Sequence, residues 1–501
     1  MKEVICLHLG QAGVQVGRKA WELFCMEHNI EPDGKNPKDL TPGQESDPYN
    51  AFFSETSDGN HVPRAVFFDT DPSSVDEVFN SRYGQVYHPE NLMNFKVDSA
   101  NNYFRARNLA VAYGQLEALM DRLRVAAEVC DQLQGFFLFR SYGGGTGTAI
   151  GDMVLEQMID EEDYGFTKLK KFEIGVYPNE EHANSVVESY NCALATANSR
   201  DTFDMSVMLD NKSIFRICRD KIKLKRPTYW DVNSLLGQII SLTTTSLRFR
   251  CELSAMMDDI CHNLIPNPKL RYCTASLAPV RCAAMDLREN FGAPELVREL
   301  FDKSTAMCDI DDPNEHRYEA TTIVVRGRMN QLRDAKLNRM EKVPYTAREV
   351  TDAMYKMREC PKTSMNIPQF APFINNLGVK VGIVGDPPKK TNDCKFAELD
   401  TMAGLLSNQT SIRHVFAQQH QRFLKLWYHK AYVHKFIECG MDEGELAEAN
   451  ESILELIKWY DNEIDDLDEE EREKSANLAR AYGRGTEGGD GGQTRLPGGP
   501  N

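Results

Sequence analysis

The sequence predicts an α/β protein: a parallel sheet covered by helices on both faces, a second α/β region, a C-terminal helical hairpin and a disordered tail. Two observations carry this prediction. Short apolar runs alternate with helical patterns through the first half, and every one of those runs ends in a turn bearing Gly, Asp or Asn. Alternation of this kind implies parallel strands with helical crossovers, and places any ligand at the carboxyl ends of the strands.

In order along the chain, Val4-Ile5-Cys6-Leu7-His8-Leu9 is a buried strand ending in Gly10-Gln11-Ala12-Gly13. The spacing of Val14, Val16, Trp21, Leu23 and Phe24 predicts the helix after it. A polar, Pro/Gly-rich stretch from about Glu31 to Val62 predicts an insertion loop. Ala65–Phe68 is a second strand closed by Asp69-Thr70-Asp71-Pro72, and a helical pattern covers Asn101–Ala127. The apolar strand Gly135–Phe139 runs into Ser141-Tyr142-Gly143-Gly144-Gly145-Thr146-Gly147-Thr148 and a helix near Ile150. Strands near Phe172–Tyr177 and Met205–Leu209 follow, the latter closed by Asp210-Asn211.

A long helix with a loop in it is expected over Asp231–His262. Strands at Tyr272–Leu277, Thr321–Val325 and Val379–Val384 mark the second α/β region, and helices around Ser411–Cys439 and Glu443–Glu463 form the hairpin. The expected divisions are 1–230, 231–263, 264–391, 392–464 and 465–501. The last of these is acidic, then Gly-rich, and is expected to be disordered.

Composition narrows the function. With 58 Lys+Arg against 75 Asp+Glu the net charge is −17, which argues against nucleic acid and favours basic partner surfaces. Hydrophobic residues at 41% and charged residues at 27% fit an ordinary globular chain. Thirteen scattered cysteines without a Cys-x-x-Cys pair fit neither a disulfide framework nor a zinc site, so a reducing compartment is expected. The N-terminus has no signal-peptide layout, and no apolar run approaches the roughly 18–20 residues of a membrane span. A cytosolic protein without membrane segments is the expectation.

The Gly143–Thr148 turn carries the chemistry. Consecutive glycines let backbone N–H groups approach phosphate oxygens, and the following helix aims its positive end at the same anion. It is neither a Walker loop nor a GxGxxG fingerprint. Gly10–Gly13 supplies a second such turn, and Asp69 and Asp71 offer carboxylates for a Mg²⁺ shell beside phosphates. A nucleoside triphosphate is the natural ligand.

GGGTG, GQAGVQVG, FNSRYGQVYHPENL, ANNYFRAR, RPTYWDVN and GMDEGELAEA together resemble the tubulins over residues 1 to about 465. The 31–62 insertion, HVPRAVFFDTDPSSVDEV and NLIPNPKLRY are more similar to α- than to β-tubulin. The resemblance implies a Rossmann-like GTPase domain, a core helix, an intermediate domain, a C-terminal helical hairpin and an exposed tail. By motif position it puts Gln11 and Ala12 on phosphate and Gln15 near the base. Asp69 and Asp71 fall at the magnesium-shell positions, with Asp71 where α-tubulin usually has Glu. Asp98 and Asn101 flank the terminal phosphate. Ser141, Gly143, Gly144, Gly145, Thr146, Gly147 and Thr148 make the phosphate loop, Glu188 faces ribose, Asn211 and Asn233 read guanine, and Tyr229 stacks on it.

The resemblance further implies hydrolysis completed between subunits. The bound GTP would be structural, while Asp259, at the position of a water-orienting acid, would act on the GTP of a β-tubulin partner. Asp259 is one methylene shorter than the usual Glu, Met256 replaces an acid, Arg250-Cys251-Glu252 replaces an Asp-Gly pair, and Ala149 replaces a glycine. Leu40 stands where α-tubulin commonly carries an acetylated lysine, and the chain ends Gly-Gly-Pro-Asn rather than in tyrosine. Motor or associated proteins could meet the acidic run at 465–473. Two functions remain open: a microtubule subunit paired with β-tubulin, or a specialised, axonemal or non-assembling GTP-binding paralogue. A stand-alone small-molecule enzyme would need a GxGxxG turn and its own catalytic constellation, and neither is present.

Overall fold

The computed structural model describes residues 2–36, 48–160, 165–251, 253, 256–282, 292–310, 317–327, 346–359, 369–370, 378–391, 393–397, 399–442 and 444–461. Leu40 and the tail beyond 461 lie outside the described residues, as do Glu252, Ser254 and Ala255 of the loop before Asp259.

In order, the elements of the first half are β1 (Glu3–Leu9), α1 (Gly10–Glu27), β2 (Phe53–Glu55), β3 (His61–Pro63), β4 (Ala65–Asp69), α2 (Pro72–Phe79), β5 (Leu92–Asn94), α3 (Tyr103–Ala112), α4 (Gln115–Glu128), β6 (Leu133–Ser141), α5 (Thr146–Ile159), β7 (Lys170–Tyr177), α6 (Glu188–Ser199), β8 (Met205–Asp210), α7 (Asn211–Asp220), α8 (Tyr229–Thr243), α9 (Thr245–Arg248) and α10 (Met257–Leu264). Then come β9 (Tyr272–Ala278), α11 (Ala293–Leu300), β10 (Arg317–Gly327), α12 (Ala347–Glu359), β11 (Gln369–Phe370), β12 (Val379–Val384), β13 (Thr401–Gln409), α13 (Arg413–Tyr428), α14 (Val433–Ile437) and a helix over 445–461. Among the described residues no helix is long and apolar enough to cross a membrane.

One sheet runs through the chain in the order β11-β10-β13-β9-β8-β7-β6-β1-β4-β5, with β12 also on β10. From β9 to β5 every pairing is parallel, and β13 is antiparallel to both β9 and β10. The parallel part is buried on both faces, which is why its strands are continuous apolar runs rather than alternating ones. In β1, Val4 and Cys6 enter the core beneath α1 and α8, while Ile5, Leu7 and Leu9 enter the core beneath α4 and α5. His8, in the same strand, is stacked between Phe67 and Phe139 and accepts a hydrogen bond from the Trp21 indole at 2.9 Å. Burial pushes its pKa down to about 3, so it is a neutral core residue.

Several expectations need correction. Part of the 31–62 stretch is strand rather than loop: β2 and β3 pair as a hairpin, and Phe52 and Phe53 pack on Trp21. The helix expected over 101–127 is two helices, because Gly114 adopts a left-handed φ of 61° that breaks the ladder. The helix with a loop in it expected over 231–262 is found as helix to Arg248, a loop and α10, but the helix before the loop is interrupted. The hydroxyls of Thr243, Thr244 and Thr245 bond back to carbonyls four residues earlier, a pattern that bends helices, and α9 is set off from α8 at Thr244. Residues 401–409, expected within the helical hairpin, are the strand β13. The helix expected over 411–439 is broken where Lys430 and Tyr432 take positive φ, and α14 thereby turns Phe436 onto Tyr190 and Phe104.

Candidate functional site

β1 and β6 are neighbours, yet α1 packs on one face of the sheet and α5 on the other. The strand order therefore reverses between them, and such a reversal leaves a crevice at the strands' carboxyl ends. The two glycine turns meet there. A Cβ on Gly10, whose φ is +68°, would lie 2.7 Å from the Gly147 nitrogen, so the turns touch only because both residues lack side chains. A Cβ on Gly144 would meet nothing within 4 Å.

The crevice opens into a cleft of about 560 Å³, within the usual range for small-molecule sites. Gln11, Ala12, Gln15, Asp69, Asp71, Asp98, Asn101, Ser141, Gly143, Gly144, Gly145, Thr146, Gly147, Glu188, Asn211, Tyr229 and Asn233 all line it. Helices α1 and α5 begin at the cleft with no side chain capping them, so their first N–H groups are left for a ligand. Thr146 sits in a hydroxyl chain with Thr70 at 2.6 Å and Ser99 at 3.0 Å. Ala100 and Asn101 adopt positive φ beside the loop, and the buried Asn191 amide donates to the Asn101 and Gly143 carbonyls at 2.8 and 3.0 Å, clamping the two turns together.

Thr148 and Asp259 do not line the cleft. Thr148 is buried, and its hydroxyl donates to the Ser141 and Gly144 carbonyls, bracing the loop from behind. Behind it lies Arg140, fully buried, which donates to the Thr148 carbonyl at 3.0 Å, to Asp152 at 2.5 Å and to Glu173. Tyr142 donates to Glu173 and Tyr103 to Asp152, each at 2.7 Å. Burial raises Asp152 to about 6, although Arg140 opposes the shift.

Asp259 stands at the far end of the sheet. The Met257 N–H, two residues before it on α10, donates to Gln134 at 3.1 Å, and Asp258 pairs with Lys170 at 3.2 Å. Gln134 and Lys170 sit where β6 and β7 begin, whereas the cleft lies where they end. A strand of this length puts roughly 25–30 Å between the two ends.

Glu188 accepts the backbone N–H groups of Asn184 and Ser185 at 2.7 and 3.0 Å, and burial raises its pKa. Tyr229, at the first position of α8, packs edge-on against Phe215 with centroids 5.4 Å apart and is 43% exposed, leaving ring surface to the cleft. For a magnesium ion, Asp69 offers a buried Oδ2 without a hydrogen-bond partner, and burial raises this carboxyl to about 6. Asp71 caps α2 by accepting from Ser73. Among the described residues no group of three or more His, Cys, Asp or Glu side chains could hold a metal by itself. The donors fit an ion that brings most of its ligands from phosphate and water. Sequence reasoning missed Arg18, Lys19, Ser99, Asn179, His182, Asn184 and Trp230 on the cleft wall. Arg18 and Lys19 follow Gln15 by three and four positions on α1, a helical spacing that would have found them.

Residues 3–219 match the Tubulin/FtsZ family, GTPase domain, and residues 268–421 match the tubulin C-terminal domain. The chain is 37% identical over 461 residues to the tubulin alpha-1 chain of Arabidopsis thaliana, covering 92% of this chain and 96% of that one. It is 35% identical over 474 residues to the tubulin alpha-2 chain of Eleusine indica, covering 94% and 100%. The chain belongs to the tubulin family.

It is a divergent, α-tubulin-like member, and the GTPase-domain match implies GTP binding. The tubulin glycine replaced by Ala149 lies outside the cleft lining: Ala149 is fully buried in α5, in the core with Tyr103 and Tyr190. The substitution therefore leaves the lining of the cleft unchanged.

Proposed function

We propose that this chain is a cytoskeletal subunit that holds GTP in the cleft, pairs with a β-tubulin-type partner and enters microtubules in the cytoplasm. In it, α1 and α5 direct uncapped N–H groups at the phosphates, Tyr229 offers a ring face to the base, and the amides of Asn211 and Asn233 offer a donor and an acceptor each to a purine edge. Asp69, with Asp71 and Asp98 on the same wall, would hold Mg²⁺ through its water shell; the ion would neutralise phosphate charge.

The observation that carries the reading is the separation of Asp259 from the cleft by the length of the parallel sheet. A carboxylate so placed cannot serve the chain's own nucleotide. Repeated head-to-tail contacts would carry it to the cleft of the next subunit, where it would orient and deprotonate an attacking water. Co-assembly of Asp259→Ala with the partner tests this: GTP turnover in the polymer is expected to fall by about 10²–10⁴-fold, the usual contribution of a general base. Unchanged turnover would remove Asp259 from the reaction. The replaced acid at Met256 favours the second reading, a GTP-binding paralogue that does not assemble, and that reading expects no polymer at all.

A further inference from the structure

We propose that Arg18 and Trp230 form a rim closing the base end of the nucleotide site, and that this rim sets how slowly the nucleotide leaves. The proposal rests on the assignment of the cleft to a guanine nucleotide. Gln11, Ala12, Gln15, Arg18 and Lys19 occupy one stripe of α1, and all five line the cleft. The roles assigned to that stripe run from phosphate at Gln11 and Ala12 to base at Gln15, so Arg18 lies one helical turn beyond the base. From α8, which packs directly on α1, Tyr229, Trp230 and Asn233 line the same cleft.

Along the cleft the two helices also touch through a cation–π contact. The Arg18 guanidinium carbon lies 4.3 Å from the centre of the Trp230 ring, and Lys19 Nζ lies 4.6 Å from it. Each cation is also held elsewhere: Arg18 reaches Glu77 of α2 at 3.4 Å, and Lys19 pairs with Glu22 at 2.9 Å. Arg18 therefore links α2, α1 and α8 along the cleft wall. Despite these contacts Trp230 remains 50% exposed, a large apolar surface left open on the wall of a polar site. A planar indole with a guanidinium on its face suits the face of a purine. Neither group reads the hydrogen-bonding edge of a base. The rim should hold guanine and adenine nucleotides by the same factor and leave their discrimination to the asparagines.

The test uses the complete chain freed of its partner, whose own GTP would otherwise carry label, loaded with radiolabelled GTP and chased with unlabelled GTP, the retained label being counted on filters. Trp230→Ala and Arg18→Ala are expected to release label about 2- to 30-fold faster, the factor a cation–π contact supplies. Trp230→Phe, which keeps a ring, is expected to stay close to the parent. The ratio of guanine to adenine nucleotide affinities is expected to be unchanged in all three. Release from Trp230→Ala at the parental rate would overturn the rim, as would a change confined to melting temperature. A parent protein that retains no guanine nucleotide would overturn the assignment of the cleft and the rim with it.

Discussion

Replacing Arg140 should damage the Gly143–Thr148 loop from behind without altering the cleft lining. Arg140 is the cation between two carboxylates, Glu173 and Asp152, and all three side chains have no solvent exposure. Its removal leaves two buried acids facing each other without a positive charge, and their remaining donors are the Tyr142 and Tyr103 hydroxyls. Breaking a buried pair from one side costs about 3–5 kcal/mol. In a region of this size that lowers the melting temperature by on the order of 10 °C. The loop also loses the bond to the Thr148 carbonyl that fixes the first turn of α5. The assay is thermal melting of Arg140→Met beside its content of bound guanine nucleotide. A second variant, Arg140→Met with Asp152→Asn and Glu173→Gln, removes the charges together and should recover most of the lost stability, because the cost lies in the stranded carboxylates. If Arg140→Met melts within about 2 °C of the parent, a shift worth less than about 1 kcal/mol, the buried network does not support the loop.

Gly144→Ala should fold normally, because its Cβ meets nothing within 4 Å, yet retain less nucleotide, because that methyl enters the space above the loop. Gly147→Ala places a Cβ 2.8 Å from the Leu9 carbonyl and should lose stability instead; comparing melting and nucleotide content of the two separates cradle from scaffold. Burial raises Asp210, the cap of α7 beside Asn211, from 3.8 to about 6. Between those values the folded chain binds the extra proton, so this group's contribution to stability is full below pH 3.8 and is lost as the pH rises through 6. Its share of the slope of stability against pH is up to roughly 1.4 kcal/mol per unit. Denaturant midpoints at pH 7 and 5 should therefore differ less in Asp210→Asn than in the parent, and equal differences would refute the shift.

The strands of the parallel half were legible because burial on both faces makes them short uninterrupted apolar runs closed by turn residues, as in Val4–Leu9 and Gly135–Phe139. β13 was not legible: TMAGLLSNQ mixes Gly, Ser and Asn into a buried strand whose polar side chains find partners only in the fold, as when the Asn408 Nδ2 donates to the Leu264 and Leu270 carbonyls. Helix breaks hid for a similar reason. Apolar periodicity continues through Gly114, the Thr243–Thr245 run and Lys430, and only backbone geometry or side-chain back-bonding shows the interruption. At the site, the motif-bearing turns could be read directly. Asn191 and Arg140 could not, since each acts through contacts between residues far apart in sequence.

In the proposed function the cleft would hold GTP and Asp259 would serve a different subunit. Native mass determination of the complete protein isolated from its own cells, with the bound nucleotide identified in the same sample, tests this most directly. The account predicts a 1:1 complex with a β-tubulin-type chain carrying GTP. A lone chain without guanine nucleotide would contradict it.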